Sequence, residues 1–522
     1  MSAVYRIPGD AKGALVGALV LAILSSVIND PLATVGLMTI AVPIIMYAMT
    51  RIPLRHSMLG LMFFALTLPN PNEGFVWKVD PDASAPFELV GWLYTAHWNT
   101  IARDAAWLKP AIFSGLDLFF LMGGYIVYTR RKSRSKLDYA GAVRTPEPMR
   151  KLARISLMVT GLIWLIGLVT GGNFGMSLWQ VNSVMYLPVI FLLFSEAIRG
   201  PQDFPAVLRV LCFAVIYRAL FATYVIHAFP QAPDPETGST KLPYATSHAD
   251  SMLFADAFAA VVCVFLERLA RFRSRLILVL PIAMLGMMSN NRRLVWVHVA
   301  FAMLTLYFIT EDNPVKRRIR RVVYASIPVV LGYIAAGWNS EFGTVFKPVR
   351  MLRSVVDTKS DRSGSSFWRE LENLNLVTTF KHNPIFGTGY GHGFEEVVQL
   401  PEVAYELERY CPHNSILGLW AFGGFVGFAG TTMLWAAGMY YAMYAYRRSR
   451  DQSLRAGALA SIACILIYIM HCWGDLGLGT WTGVFTAACS IAVAGKAAAS
   501  VPQTAVVGSK AQAQAATASA RA

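Results

Sequence analysis

A few arginines and histidines carry most of the chemistry this chain can offer. Ser289-Asn290-Asn291-Arg292-Arg293 forms a tight connection between two apolar runs. A guanidinium presents paired donors that match phosphate geometry, so the doublet reads as an anion site, with snorkelling of Arg293 to lipid phosphates as the alternative. Arg218 lies within the apolar run Ala214–Phe221. A charge at membrane depth costs roughly 2.5–3.5 kcal/mol on insertion scales, so Arg218 must face a wet cavity or a carboxylate such as Asp256. His248 and Asp250 stand at the mouth of the next apolar run, where Asp250 or Ser251 is suited to cap a helix. Further on, a helical pattern that includes Arg369 runs into Asn383-Pro384-Ile385-Phe386-Gly387-Thr388-Gly389-Tyr390-Gly391. Glycines so spaced let backbone amides come close to a ligand. In Cys411-Pro412-His413-Asn414-Ser415, Pro412 keeps the approach extended and Asn414 caps the helix that follows. His413 then lands at the helix mouth, where an imidazole can accept a proton or orient its donor.

The elements that must position these residues are apolar. Of 522 residues, 55% are hydrophobic and 15% charged, against about 25% charged in soluble domains. Apolar segments fall at 13–29, 32–50, 57–69, 111–128, 155–171, 184–198, 206–226, 251–266, 276–288, 294–310, 322–338, 416–446, 456–470 and 477–495. Most approach the ~20 residues that span a bilayer. The fold class expected is an all-α polytopic membrane protein with about 14 transmembrane helices. The run at 416–446 is too long for one crossing and is expected to hold a re-entrant or interfacial helix followed by a full span.

The net charge of +15 (46 Lys+Arg against 31 Asp+Glu) does not point to nucleic acid, because the basic residues sit in short runs in every second connection. That is the positive-inside pattern, which places those connections and both termini in the cytoplasm. The opposite connections are 70–110, 172–183, 227–250 and 339–415. The expected organisation is N-terminal membrane helices over 1–338, a large periplasmic loop over 339–415, C-terminal membrane helices over 416–500, and a disordered tail over 501–522 rich in Ala, Gln and Ser. The N-terminal segment reads as a retained first helix. Trp77, Trp92, Tyr94, Trp98 and Trp107 fit an interfacial aromatic belt better than a sugar-stacking surface. The six cysteines are scattered without metal-ligand spacing, and no disulfide framework is expected of them. No phosphate-binding loop of the GxxxxGK[ST] kind occurs, which argues against chemistry driven directly by ATP.

Three of these stretches, in this order, form a known constellation. His413-Asn414 followed by Gly424-x-x-Gly427 resembles the His-Asn…Gly-x-x-Gly signature of the O-antigen ligase superfamily. That superfamily includes Wzy-type polysaccharide polymerases and bacterial O-linked oligosaccharyltransferases. Ser365-x-x-x-Arg369 with Asn383-Pro384-x-x-Gly387-x-Gly389 resembles its outer-loop motif, and Ser289–Arg293 its upstream Ser-x-Arg turn. The resemblance covers roughly 285–430. It leaves open which of Arg292 and Arg293 matches the family arginine, and it favours Arg369 over Arg362 in the loop.

What the resemblance implies is a GT-C-like helical architecture. It also implies an inverting glycosyltransferase that moves a glycan from undecaprenyl diphosphate to an acceptor hydroxyl at the periplasmic face of the bacterial inner membrane. The product would be a surface polysaccharide: exopolysaccharide, capsule or O-antigen made by a polymerase, or O-antigen joined to lipid A–core by a ligase. The implied partners are the lipid-linked donor, a saccharide or lipid A–core acceptor, the bilayer and polysaccharide assembly proteins, with no nucleic acid, cofactor or metal. The catalytic set is then His413, Arg369, Arg293 and Arg292, and the substrate-binding set Arg218, His248, Asn414, Gly387 and Gly389. A flippase for lipid-linked oligosaccharides, or another many-helix transporter, is the competing reading. It predicts charged residues lining a path from both faces.

Overall fold

The computed structural model describes residues 9–27, 31–67, 115–132, 138, 140–228, 245–269, 276–290, 292–340, 345–346, 349–350, 352–353, 365–400 and 409–502. Every long element in them is a helix: α1 (Gly9–Val27), α2 (Pro31–Arg51), α3 (Leu54–Thr67), α4 (Gly115–Lys132), α5 (Glu147–Val169), α6 (Phe174–Ala197), α7 (Phe204–Ala228), α8 (His248–Leu266), α9 (Val279–Asn290), α10 (Arg293–Ile309), α11 (Pro314–Gly337), α12 (Ser365–His382), α13 (Ser415–Arg448), α14 (Gln452–Gly474) and α15 (Trp481–Ser500). The chain is an all-α polytopic membrane protein. Each of the fourteen apolar segments corresponds to one helix, and the additional helix, α12, belongs to the 339–415 loop. Among the described residues, eight helices are long and apolar enough to cross a bilayer, and α9 and α10 are shorter apolar helices. Length and composition of the described residues thus support eight crossings and do not by themselves confirm fourteen. The aromatic belt at Trp77, Trp92, Tyr94, Trp98 and Trp107, the tail beyond 502, and Arg362 lie outside the described residues.

The bundle packs through small residues, as membrane helices do when lipid supplies no hydrophobic drive between them. α15 is the clearest case. Among its buried residues, Gly483, Ala487, Ala488, Cys489, Ala492, Ala494, Gly495 and Ala498 let α6, α13 and α14 close on it. α11 is the opposite case, apolar and fully exposed along its span, with Val322, Tyr324, Val329 and Leu331 directed outward.

Alternate connections gather at two ends. At the basic end, arginines tie helix termini together. Arg130 ion-pairs with Asp138 at 2.7 Å while its Nη2 donates to the carbonyls of Met49, Thr50 and Ile52, capping the end of α2. Arg455, in the first turn of α14, bridges Glu267 at 2.7 Å and Glu311 at 3.0 Å, just past α8 and α10. At the other end the loop that follows α12 is threaded between membrane helices.

That threading rests on glycine. α13 breaks at Gly424 (φ 57, ψ −163), leaving a short arm over 415–423 and a long one over 425–448. The break leaves carbonyls of the short arm without helical partners, and loop amides take them. Thr388 N–H donates to Ala421 O at 3.1 Å and Gly389 N–H to Phe422 O at 2.9 Å. In return Phe425 N–H and Val426 N–H donate to Pro384 O and Ile385 O. Gly389 (φ 82) also abuts α5 so closely that an added Cβ would sit 2.4 Å from Gly167 Cα. Gly389→Ala therefore combines left-handed strain with backbone overlap and is expected to destabilise by at least about 2 kcal/mol. Gly161→Ala, in open space on α5, should be neutral or slightly stabilising. Thermal unfolding of the detergent-purified protein, followed by circular dichroism, compares the two.

Candidate active site

At the end opposite the basic loops lies a cavity of about 390 Å³. α6 supplies Trp179 and Gln180 to its wall, α8 supplies His248, the start of α10 supplies Arg292, and the turn between α14 and α15 supplies Asp475. The post-α12 loop adds Tyr390 and Tyr410, and Cys411, Pro412 and Ser415 lead into α13. The six cysteines are free thiols.

Asp475 is the centre of this arrangement. Its carboxylate is buried, and Oδ1 accepts the Leu476 N–H at 2.9 Å. Oδ2 meets His248 Nδ1 in an ion-pair contact, and Arg369 Nη2 of α12 lies 3.9 Å away. Burial alone would push this carboxyl up, but His248, His471 and Arg369 pull the other way and hold it well below the ordinary carboxylate range. A buried anion with two basic side chains on one oxygen fixes the spacing of three elements at once.

Asn290 sets the His248 corner. Its Oδ1 accepts from the Thr246 N–H (3.2 Å) and hydroxyl (3.1 Å), while Nδ2 donates to Ser247 O and Ser251 Oγ. The Ser289–Arg293 turn thus does two jobs: Asn290 anchors the start of α8, and Arg292 lines the cavity. Arg293 is half-buried at the start of α10 and is not on the cavity wall, and Asn291 lies outside the described residues.

Gln180 sets the opposite corner, where its side chain is fully used by the outer loop. Nε2 donates to His392 O and Tyr410 O, and Oε1 accepts from Gly391 N–H at 2.6 Å. Tyr390 and Tyr410 are held on the wall by these bonds.

His413 stands just outside the wall. Its backbone N–H donates to Glu372 at 3.1 Å, its Nδ1 lies 3.4 Å from Glu372 Oε1, and its ring meets Trp368 edge-on with centroids 4.7 Å apart. Asn414 caps α13 by accepting Leu417 N–H at 3.1 Å and donates to Asn373 Oδ1. α12 therefore carries one face, Trp368, Arg369, Glu372 and Asn373, that grips the mouth of α13 and the Asp475 turn. Residues three and four apart share a helix face.

Three expectations need correction. Gly387 and Gly389 do not line the cavity. The amides of Gly387, Thr388 and Gly389 donate to Asn383, Ala421 and Phe422 carbonyls, so the glycine loop is a packing joint. Arg218 is not on the cavity wall and is paired with Asp250 rather than Asp256. Its Nε lies 2.9 Å from both carboxylate oxygens, and Nη2 is 2.7 Å from Oδ2. Asp250 in turn is not the N-cap of α8, a position held by Ser247.

The sequence marks Asp475, with His471, at an outer turn but assigns it no role, and it gives no sign of Gln180 or Glu372. For Asp475 a signal existed: a carboxylate ending an apolar run obeys the same cost rule that singled out Arg218.

Residues 276–432 match the family model described as O-antigen ligase (Wzy_C). That stretch of the chain is similar to an O-antigen ligase domain. No curated protein matches the chain. The O-antigen ligase segment supplies Arg292, Tyr390, Tyr410, Cys411, Pro412 and the short arm of α13 to the cavity, while Gln180, His248 and Asp475 come from helices outside it. The match supports a role of the O-antigen ligase or polymerase type in surface polysaccharide assembly.

The Arg218–Asp250 pair is almost completely buried. Removing one partner strands the other, so Arg218→Ala or Asp250→Ala should each cost about 3–5 kcal/mol, and the apolar double replacement Arg218→Met with Asp250→Leu should recover most of it. Thermal unfolding of these variants beside the wild type checks both expectations.

Proposed function

We propose that the protein transfers a glycan from undecaprenyl diphosphate to an acceptor hydroxyl at the periplasmic face of the inner membrane, with inversion at the anomeric carbon. The observation that carries the reading is the cavity in which Arg292 shares a wall with the His248–Asp475 pair, at the bundle end opposite the basic loops. Under the positive-inside rule that end is periplasmic.

The chemistry follows from charge. As the glycosyl bond breaks, negative charge grows on the diphosphate oxygens. A preorganised guanidinium in a cleft shielded from water contributes roughly 3–4 kcal/mol to that state. Arg292, on the cavity wall, is assigned this role, with Arg369 and Arg293 as further candidates for it, and no ATP or metal is required by the reaction. His413, fastened to Glu372 beside Cys411 and Pro412, suits the acceptor side, where it orients the incoming hydroxyl. His248 and Asn414 act from the wall and the helix mouth. A transporter requires charged side chains along a path from both faces, whereas these gather at one end.

Complementation of a deletion strain with Arg292→Ala, Arg369→Ala and His413→Ala tests the reading, with envelope polysaccharide length and lipid-A attachment read on gels at matched membrane levels. Each variant is expected to lose about 10²–10³ in transfer rate and, with it, long polysaccharide. Single repeats left on the carrier identify a polymerase, and long chains stranded there identify a ligase. Wild-type patterns from all three variants would overturn the proposal.

A further inference from the structure

His248 and His413 both lie near the site, each beside a carboxylate, but they are held differently. His413 Nδ1 is 3.4 Å from Glu372 Oε1, and its ring stands outside the cavity wall. His248 is on the wall, and its side chain keeps 38% of its exposure. Its Nδ1 is turned to Asp475 Oδ2, which leaves Nε2 for the cavity. Asp475 Oδ1 is already taken by the Leu476 N–H, so the carboxylate is oriented before any substrate enters. Asn290, by holding Thr246, Ser247 and Ser251, fixes the first turn of α8 and hence the direction of the imidazole.

We propose that His248 is the general base of the transfer and that Asp475 is the positioning residue that holds its Nδ1–H, so that Nε2 receives the acceptor proton. The proposal rests on the glycosyl-transfer reading above. In the step, the acceptor oxygen bonds to the anomeric carbon as the anomeric C–O bond to the diphosphate breaks. The electron pair leaves with the diphosphate, beside Arg292, and the hydroxyl proton passes to His248 Nε2. The imidazolium so formed is paired with Asp475. A carboxylate behind an imidazole selects the tautomer with a free outward nitrogen and stabilises the cation that follows.

Every element packed on Asp475 contributes to its field. α8 presents His248, α12 presents Arg369 at 3.9 Å, and α14 presents His471. His298 of α10 packs against His471, with ring centroids 5.3 Å apart, and Arg292 at the start of α10 lines the same cavity. His298 and His471 are fully buried, with no hydrogen-bond partner for their ring nitrogens among the described residues. They enclose the carboxylate from within the bundle and cannot reach substrate.

The experiment uses membranes containing the full-length protein and, as donor, the lipid-linked glycan fraction extracted from the deletion strain. Single-turnover transfer is followed as a function of pH. Wild-type membranes should show an acid limb. His248→Gln should lower the plateau rate about 10²-fold and abolish the limb. Asp475→Asn should lower the plateau rate, and adding it to His248→Gln should cost little beyond His248→Gln alone, because both act through one imidazole. His413→Gln should lower the rate but keep the limb where it is. Melting temperatures of the purified variants, matched to wild type, separate these effects from unfolding. If His248→Gln keeps the wild-type limb, or if His413→Gln is the variant that loses it, the base is not His248 and the proposal falls. Failure of wild-type membranes to consume this donor would instead overturn the glycosyl-transfer reading, and the base assignment with it.

Discussion

The geometry of the site depends on one buried carboxylate. Asp475 ends α14 at the boundary between the bundle and the outer loop, where burial would favour its neutral form by several kcal/mol if it stood alone. It is instead contacted by His248 from α8 and approached by Arg369 from α12. Those elements come from distant parts of the chain; α8 and α14 also pack against each other along the bundle, whereas α12 reaches them chiefly through Arg369. The anion draws them to one point, and the cavity is the space left among them. A second buried pair, Arg218 with Asp250, lies two residues beyond His248 on the same helix α8 and ties it to α7. Polar contacts of this kind are strong specifiers inside a bundle whose remaining surfaces are interchangeable aliphatic faces.

A second constraint is the unwinding of α13. A continuous helix would satisfy its own carbonyls and offer nothing to the loop. Because Gly424 adopts φ 57, the short arm turns its Ala421 and Phe422 carbonyls to Thr388 and Gly389. The loop is thereby seated against α5, α6 and α13, and Gln180 completes the seat by bonding Gly391, His392 and Tyr410. Non-helical backbone is tolerated here because the groups freed at Ala421, Phe422, Phe425 and Val426 find partners in protein. The glycines that looked suited to a ligand are thus spent on architecture, and the ligand-facing surface is left to side chains: Arg292, His248, Asp475, Tyr390 and Tyr410.

The chemistry is divided accordingly between two layers. The O-antigen ligase segment brings an arginine, the tyrosines and the mouth of α13, and the surrounding helices bring the imidazole and its carboxylate. The outer helix α12 touches both layers through Arg369 and Glu372. A displacement at a lipid diphosphate needs little covalent participation from protein. It needs cations at the leaving group and a place for one proton, in a pocket shielded from water. Fixed side chains on rigid helices meet those needs with little reorganisation.

Much of the fold was legible in the sequence because apolar length and charge alternation are local properties, and local properties survive the absence of coordinates. The fourteen apolar segments, the break in the run at 416–446 and the capping role of Asn414 could all be read from neighbours along the chain. So could Arg292, as an arginine on an outward-facing turn, and His248, at the entry of an apolar run. The partners of those residues were a different matter. Asp250 rather than Asp256 receives Arg218, although both lie on α8 within two turns, because helix rotation and depth decide which carboxylate meets the guanidinium. Asp475 meets His248 across more than two hundred positions of sequence, and Gln180 meets Gly391 across a similar gap. The sequence by itself determined which groups were too costly to leave in lipid. Only the tertiary structure decided how they were paired, because the energy of a buried charge depends on distance and direction, and chain position encodes neither.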